Sequence, residues 1–292
     1  DGTRRTPLTV TTRPISDSKT TVSSSVIIAL DTSESLREDF PHAQEAGIAF
    51  VRSLPKNTRV GLVQIGSHAH LVAALTSDHE KVIHEIGSLR QEGHTALYEA
   101  IVTSTRALRV TGVRSILLLT DGKNDVRNRT SHTTVNDAAD ALKNSKVILT
   151  AVAFGQNTDS EALSFLTTAG HGQILHVDKA QYLAKTFTGV ATSIGSQVIV
   201  STRIPPQLRG TTGDLVITGT AGGRQFTAAQ YTSIPHGTSE TAGRVSNGSL
   251  LVPVPQTETA LSGVILSVAL CLLFLGMVTP ATYALGRLTR NR

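Results

Sequence analysis

Oxygen-bearing side chains follow two apolar runs of the sequence. The run "VIIAL" ends at Asp31, and hydroxyl groups follow at every second position, Ser33 and Ser35. A second run, "SILLLT", leads into Asp121 of "DGKND", and Thr95 of "EGHTALYEAI" follows a glycine turn at the entry to a predicted helix. None of these side chains is a thiol or an imidazole. Oxygen donors of this kind favour a hard cation, Mg²⁺ or Mn²⁺, over zinc.

The spacing in Asp31-x-Ser33-x-Ser35 lets one loop direct several oxygens at a single point. Hydroxyl ligands are neutral, so they leave the charge of a bound cation only partly compensated. Mg²⁺ takes about six ligands and usually keeps water molecules. We therefore expect an exchangeable position that an Asp or Glu carboxylate of a protein partner fills.

Each piece of this pattern has a simpler explanation when taken alone. Asp31 or Ser35 can cap the helix that follows, Asp121 with the next glycine can form a turn, and Thr95 can be a helix N-cap. The order of the pieces along the chain, each after a predicted strand or before a predicted helix, favours the metal site.

Residues 22–194 alternate strand-like apolar runs with segments of helical periodicity. The predicted strands are "SVIIAL", "RVGLVQIG", "AHLVAAL", "SILLLT", "VILTAVAF" and "QILHV". The predicted helices are "DFPHAQEAGIAFVRSL", "HEKVIHEIGSL", "TALYEAIVTSTRAL", "TVNDAADALKNS", "TDSEALSFLTTAG" and "AQYLAKTFTGVATSI". Uniformly apolar strands indicate a mostly parallel sheet with helices on both faces. The segment "GLVQIGSHAHLV" predicts a hairpin that adds one antiparallel edge strand.

The fold class predicted is therefore α/β, a doubly wound, mostly parallel, Rossmann-like sheet. In the strand order 3-2-1-4-5-6, ligands bind outside the carboxyl ends of strands 1 and 4. Asp31 follows the first strand and Asp121 the fourth. Both carboxylates are expected at this crevice.

The segments "DTSES", "GHTALYEAI" and "LLLTDGKND" resemble the metal-site loops of the von Willebrand factor type A family. The resemblance covers about residues 22–194, and it implies a metal-ion-dependent adhesion site. Its ligands, direct or through water, would be Asp31, Ser33, Ser35, Thr95 and Asp121. The chain departs from the family pattern at Glu34 and His94, where the family often has glycine, and these bulkier side chains are expected to tune partner choice.

The remaining segments predict a membrane-anchored layout. The stretch 259–286 contains no charged residue. About 20 apolar residues suffice to cross a hydrocarbon core of about 30 Å. Arginines follow it, which places the tail on the cytoplasmic side and the preceding domain outside. The predicted segments are an N-terminal extended segment (1–21), a small β-rich segment (195–231), a flexible stalk (232–258), a transmembrane helix (259–286) and a basic tail (287–292).

Composition narrows the functional classes. The net charge is +5, and the basic residues are scattered without a Lys/Arg stripe, so no nucleic acid is expected as a partner. The single cysteine, Cys271, allows no intrachain disulfide. His68-x-His70 offers two zinc-type ligands, but the sequence indicates no third ligand nearby, so both are interpreted as surface histidines.

The sequence thus predicts a non-enzymatic, extracytoplasmic protein that binds a partner through a divalent cation, for adhesion or assembly. The layout is also similar to actinobacterial proteins in which such a domain precedes a type II secretion system F-like module of tight-adherence pilus machinery. The alternative function, with the same predicted structure, is that of a subunit of such a pilus or secretion machine. A metal-dependent hydrolase is the other class, disfavoured because no phosphate clamp or general base accompanies the loops.

Overall fold

The structure is a computed structural model of the 292-residue chain. It describes residues 5–8, 10–14, 23–121, 124–125, 131–156, 158–195, 198–202, 205–208, 210–221, 224–233 and 286–289. The chain divides into two compact units, residues 18–195 and residues 1–17 with 196–292. Each unit is described by itself below.

The described residues contain strands in both units and α-helices in the larger one. The strands are β1 (Arg5–Leu8), β2 (Val10–Pro14), β3 (Ser24–Asp31), β4 (Thr58–Ile65), β5 (Ala69–Thr76), β6 (Val113–Thr120), β7 (Ile148–Phe154), β8 (Gln173–Val177), β9 (Val198–Thr202), β10 (Thr212–Ala221), β11 (Arg224–Ser233) and β12 (Gly286–Thr289). The helices are α1 (Phe40–Ser53), α2 (His79–Ser88), α3 (Leu97–Ala107), α4 (Val135–Ser145), α5 (Ser160–Ala169) and α6 (Leu183–Gly195).

The larger unit is built on a six-stranded sheet of order β5-β4-β3-β6-β7-β8. Only β5 is antiparallel to its neighbour, and the other pairs are parallel. Numbered within this unit, the order is 3-2-1-4-5-6. The predicted strands, helices, strand order and antiparallel edge strand are all confirmed.

The centre of the sheet is apolar because helices cover both of its faces. All eight residues of β3 are buried, as an interior strand requires. Alternate residues of β3 enter different core clusters: Ile28 packs with α1 and α6 residues, and Ile27 with α3 and α4 residues. The Phe50 and Phe187 rings meet edge to face at 6.2 Å and join α1 to α6.

Short-range signals fix the helix ends. The Asp78 carboxylate accepts a hydrogen bond from Lys81 N at 3.1 Å and caps α2. Thr134 and Asp137 form a reciprocal capping box at the start of α4. Such caps satisfy backbone groups at the first turn of these two helices. The predicted and observed starts of all six helices agree to within a few residues.

The described residues of the smaller unit form two sheets. Strand β2 pairs with β9, with Val10 opposite Thr202. The second sheet has the order β1-β12-β10-β11. Strand β12 lies at the start of the basic tail predicted for 287–292, and its Arg287 lies opposite Pro7 of β1.

The predicted membrane span lies almost wholly outside the described residues, with the exception of Gly286. Most of the predicted stalk lies outside them as well. Within the part of the chain that the structure describes, no helix has both the length and the hydropathy needed to span a membrane. Membrane anchoring therefore stays a prediction.

Candidate metal centre

Two neighbouring parallel strands bring the predicted carboxylates to one edge of the sheet. Leu30 of β3 pairs with Leu119 of β6, so the two strands end side by side. Asp31 is the last residue of β3, and Asp121 directly follows β6. Asp31 is fully buried, whereas Asp121 is partly exposed. The fold therefore places one carboxylate at the base of the crevice and the other at its rim.

A chain of hydrogen bonds connects four of the five predicted ligands. Ser33 N donates to Asp31 Oδ1 at 3.0 Å. The Ser33 and Ser35 hydroxyl oxygens lie 2.9 Å apart, and Ser35 Oγ donates to Asp121 Oδ1 at 2.9 Å. The alternating spacing of the serines thus directs both hydroxyls into the space between the two strand ends, as expected from the sequence.

The loop that carries Thr95 packs against the loop that follows Asp31 through backbone hydrogen bonds. Glu34 N donates to Gly93 O at 3.2 Å, and Glu92 N donates to Thr32 O at 2.8 Å, so the two loops run against each other. Thr95 is only 4% exposed. Among the described residues, its hydroxyl forms no hydrogen bond with the other four predicted ligands.

The loop after β6 is fastened to the loop of Thr95. Asp125 N donates to Thr95 O at 2.9 Å, and Tyr98 N donates to the Asn124 side-chain oxygen at 3.3 Å. His94 Nδ1 also lies 3.7 Å from Asp125 Oδ2. These contacts fix the Thr95 loop relative to Asp121, so the three predicted ligand loops form one connected rim.

The electrostatics of the site disfavour two negative charges. The pKa of Asp31 is raised from 3.8 to about 6, mainly by burial and to a smaller extent by the charge of Asp121, against hydrogen bonds from Ser33 and Thr120 that lower it. Burial also raises the pKa of Asp121, and the charge of Asp39 adds to this effect. In the described part of the chain, no Lys or Arg compensates these two carboxylates. A cation between them would supply the missing charge.

This donor set fits a hard divalent cation. Two carboxylates and hydroxyls converge, and hard cations such as Mg²⁺ prefer oxygen ligands. The hydroxyls of Ser33 and Ser35 each have lone pairs that a cation can use after their hydrogens rotate. Among the described residues, this site included, no three His, Cys, Asp or Glu side chains already stand close enough together to hold a metal ion. The hydroxyls are therefore needed to complete the ligand set here.

Sequence reasoning missed two supporting residues of this site. Thr120 Oγ1 donates to Asp31 Oδ2 at 2.9 Å and fixes the orientation of the buried carboxylate. Gln64 Nε2 donates to Thr32 Oγ1 at 3.2 Å and to Arg90 O at 3.0 Å, linking β4 to both loops. Both are polar residues near the carboxyl end of an apolar strand, and that break in hydropathy was the available signal.

The two departures from the family pattern lie on the rim. Glu34 is exposed and lies 3.9 Å from Arg37, one helical turn along the chain. His94 faces Asp125, as described above. Neither side chain replaces a predicted ligand. Asp137 and Asp140 lie on α4, where they contact Thr134 and Lys143, respectively.

A family model for the von Willebrand factor type A domain matches residues 25–189. A type A protein from Catenulispora acidiphila is similar in structure, with a TM-score of 0.55, 18% identity, and coverage of 76% of this chain and 50% of that chain. This chain thus spans half the length of that protein. No curated protein matches the chain.

Two further solved structures are similar. BatB from Bacteroides thetaiotaomicron, a conserved hypothetical protein, has a TM-score of 0.50 at 20% identity, covering 59% of this chain and 98% of that chain. Proximal thread matrix protein 1 from the mussel byssus, with zinc in its metal-ion-dependent adhesion site, has a TM-score of 0.52 at 15% identity, covering 66% and 50%. At such identities the likeness shows the fold alone. The family match covers more than half of the sequence, and the chain therefore belongs to the von Willebrand factor type A domain family.

Proposed function

We propose that the type A domain binds a divalent cation, Mg²⁺ or Mn²⁺, through Asp31, Ser33, Ser35, Thr95 and Asp121. The observation that supports this most strongly is the hydrogen-bonded chain from Asp31 through both serines to Asp121. Helix capping does not explain it, because Ser33, the N-cap residue of the short helix Glu34–Leu36, makes no side-chain cap hydrogen bond. The Ser35 hydroxyl, within that helix, bonds to Ser33 and Asp121.

The bound cation serves to recruit a carboxylate from a protein partner. Asp31, one of the proposed ligands, is buried at the base of the site, whereas Ser35 and Asp121 lie toward solvent. Neutral hydroxyls leave part of the cation's charge uncompensated, and Mg²⁺ keeps exchangeable water positions. An Asp or Glu side chain of a partner supplies both the charge and the ligand. The function that follows is cation-dependent protein binding in adhesion or assembly.

The cellular setting of this function is proposed from the sequence. The stretch 259–286 is proposed to anchor the chain in a membrane, with the type A domain on the extracytoplasmic side. A role in a pilus or secretion machine is the alternative assembly role. A longer native reading frame with further membrane helices would support that alternative.

Mn²⁺ offers a direct test of the exchangeable position. The full chain is loaded with Mn²⁺, and the enhancement of water-proton relaxation reports water on the ion. Adding a short peptide with one glutamate is expected to lower this enhancement, because the carboxylate displaces water. A peptide with glutamine in its place is expected to have no effect. Equal behaviour of the two peptides contradicts carboxylate recruitment.

A matched pair of serine variants shows whether the effect arises at the proposed site. Ser35→Ala removes a hydroxyl that contacts both Ser33 and Asp121. It is expected to weaken Mn²⁺ binding by about ten-fold or more. Ser88→Ala is the control, because Ser88 Oγ donates only within α2, to His84 O at 2.9 Å. An equal loss of Mn²⁺ affinity in both variants would show that Mn²⁺ does not bind at the site that contains Ser35.

A further inference from the structure

The histidine pair at the β4–β5 hairpin has a third neighbour that sequence spacing does not reveal. His68 and His70 lie with their ring centroids 6.3 Å apart. Glu99, on α3, brings its Oε2 to 3.7 Å from His68 Nδ1. Two imidazoles and a carboxylate are the ligands of many zinc sites with an open fourth position.

One oxygen of the Glu99 carboxylate is buried without a hydrogen bond. Its Oε2 atom is shielded from solvent and has no hydrogen-bond partner among the described residues. A shielded carboxylate oxygen without a partner costs free energy, so such atoms are rare in native proteins. His68 Nδ1 lies 3.7 Å from this oxygen and compensates its charge only when the ring is protonated. A metal ion at this point would satisfy the oxygen while the ring is neutral, because the neutral imidazole binds the same ion through its nitrogen lone pair.

We propose that His68, His70 and Glu99 form a second metal site, for a divalent ion with affinity for imidazole such as Zn²⁺. Zinc–nitrogen and zinc–oxygen bonds are about 2.0–2.2 Å, so two ligand atoms on one tetrahedral zinc lie about 3.3 Å apart. The observed 3.7 Å between His68 Nδ1 and Glu99 Oε2 is close to this value. Water takes the fourth position.

Small side-chain rotations complete the site. Two imidazoles on one tetrahedral zinc have ring centroids about 5 Å apart, compared with 6.3 Å here. The His70 side chain is exposed and can rotate toward His68. The backbone is already in place, because Gly66 N donates to His68 O at 3.0 Å in the hairpin turn, and α3 packs against β5. The ion would thereby tie α3 to the hairpin.

The test measures zinc affinity of the full chain by competition with a chromophoric chelator, in millimolar Mg²⁺. The wild type is expected to bind one zinc ion, and His70→Asn and Glu99→Gln are each expected to weaken binding by at least about ten-fold. His42→Asn is the matched control, because His42 Nδ1 lies 3.4 Å from Glu45 Oε2 in a similar pair that lacks a second histidine. Equal loss in the control, or no zinc binding by the wild type, overturns the proposal.

Two further measurements separate this site from the first and from a structural role. Asp121→Ala is expected to retain zinc binding, and loss of zinc in that variant would mean that the ion occupies the first centre. Metal-free Glu99→Gln is expected to melt no lower than the wild type, because the substitution removes a shielded charge. A lower melting temperature, with zinc affinity unchanged, would show that Glu99 has only a structural role.

Discussion

Asp31 combines complete burial with a position next to a second carboxylate. Thr120 Oγ1 and Ser33 N satisfy both of its oxygens, yet they do not offset the cost of burying the charge. A buried carboxylate with this arrangement is expected to hold a proton more tightly in the folded protein than in the unfolded chain. The unusual residue is therefore a source of instability in the metal-free state.

Metal-free stability is expected to fall as the pH rises. The pKa of Asp31 is raised from 3.8 to about 6, so the folded state binds the extra proton between these values. The free energy of unfolding then decreases from about pH 4 upward and reaches its full loss, about 3 kcal/mol, above pH 6. Asp121, whose pKa is also raised, acts in the same direction. Urea unfolding with a chelator at pH 4.5 and 7.5 measures this slope.

Asp31→Asn is the control for this slope. The amide keeps an oxygen for Ser33 N, and the Thr120 hydroxyl can rotate to accept from the new NH₂ group. The variant is expected to lose most of the pH slope and to be more stable than the metal-free wild type at pH 7.5. An unchanged slope in the variant would show that other groups cause it.

Among the structural elements, the three loops that carry the proposed ligands must fit tightly together to hold those ligands in place. Gly93 has φ 56°, and its carbonyl accepts the hydrogen bond from Glu34 N. A Cβ at this position would overlap the Ser67 hydroxyl, which itself accepts a hydrogen bond from His94 N at 3.2 Å. Glycine is therefore required where the Thr95 loop turns over the β4–β5 hairpin.

Gly93→Ala is expected to destabilise the protein by about 2 kcal/mol and to weaken cation binding, because the loop of Thr95 must shift. Gly87→Ala is the matched control, because Gly87 is in α2 and, among the described residues, no atom beyond the helix's own backbone lies within 4 Å of its added Cβ. That substitution is expected to stabilise by about 1 kcal/mol, with cation affinity unchanged. Denaturant unfolding and Mn²⁺ titration measure both effects. Normal cation affinity in Gly93→Ala would show that cation binding does not depend on the position of the Thr95 loop.

Much of the larger unit could be predicted from hydropathy, because uniformly apolar strands and amphipathic helices leave few alternatives. The hydroxyl spacing after Asp31 likewise predicted that several oxygens of one loop point to a common position. Two contacts between distant segments could not be predicted: Asn124 meets Tyr98 N across 26 residues, and Glu99 meets His68 across the α3–β5 contact. Neither contact has a local periodic signal, because both depend on tertiary packing.

At the scale of the whole molecule, the chain joins a type A unit to a smaller β unit and to the apolar stretch 259–286. A single membrane span there and the pairing of β12 with β1 exclude each other, since a span separates Thr289 from Arg5 whereas the pairing places them opposite one another. The long uncharged run favours the span. The side of the membrane on which Thr289 lies therefore decides between them.

Cysteine labelling tests the membrane layout. In a Cys271→Ser background, which removes the only native cysteine, Thr289→Cys is expected to resist a membrane-impermeant maleimide in intact cells and to react after lysis. Ser88→Cys, at an exposed site on α2, is the control and is expected to react in intact cells. Labelling of both residues in intact cells contradicts a single span and fits the β1–β12 pairing. Protection of both contradicts an extracytoplasmic domain.

The central claim is tested most directly by thermal unfolding of the full chain with and without millimolar Mg²⁺ or Mn²⁺, beside Asp121→Ala. An ion that binds only the folded state raises its stability by about 2.7 kcal/mol at a hundred times its Kd. The metal is expected to raise the melting temperature of the wild type clearly and to leave that of the variant unchanged. No shift at saturating metal, or an equal shift in both proteins, would contradict a cation site built on Asp121.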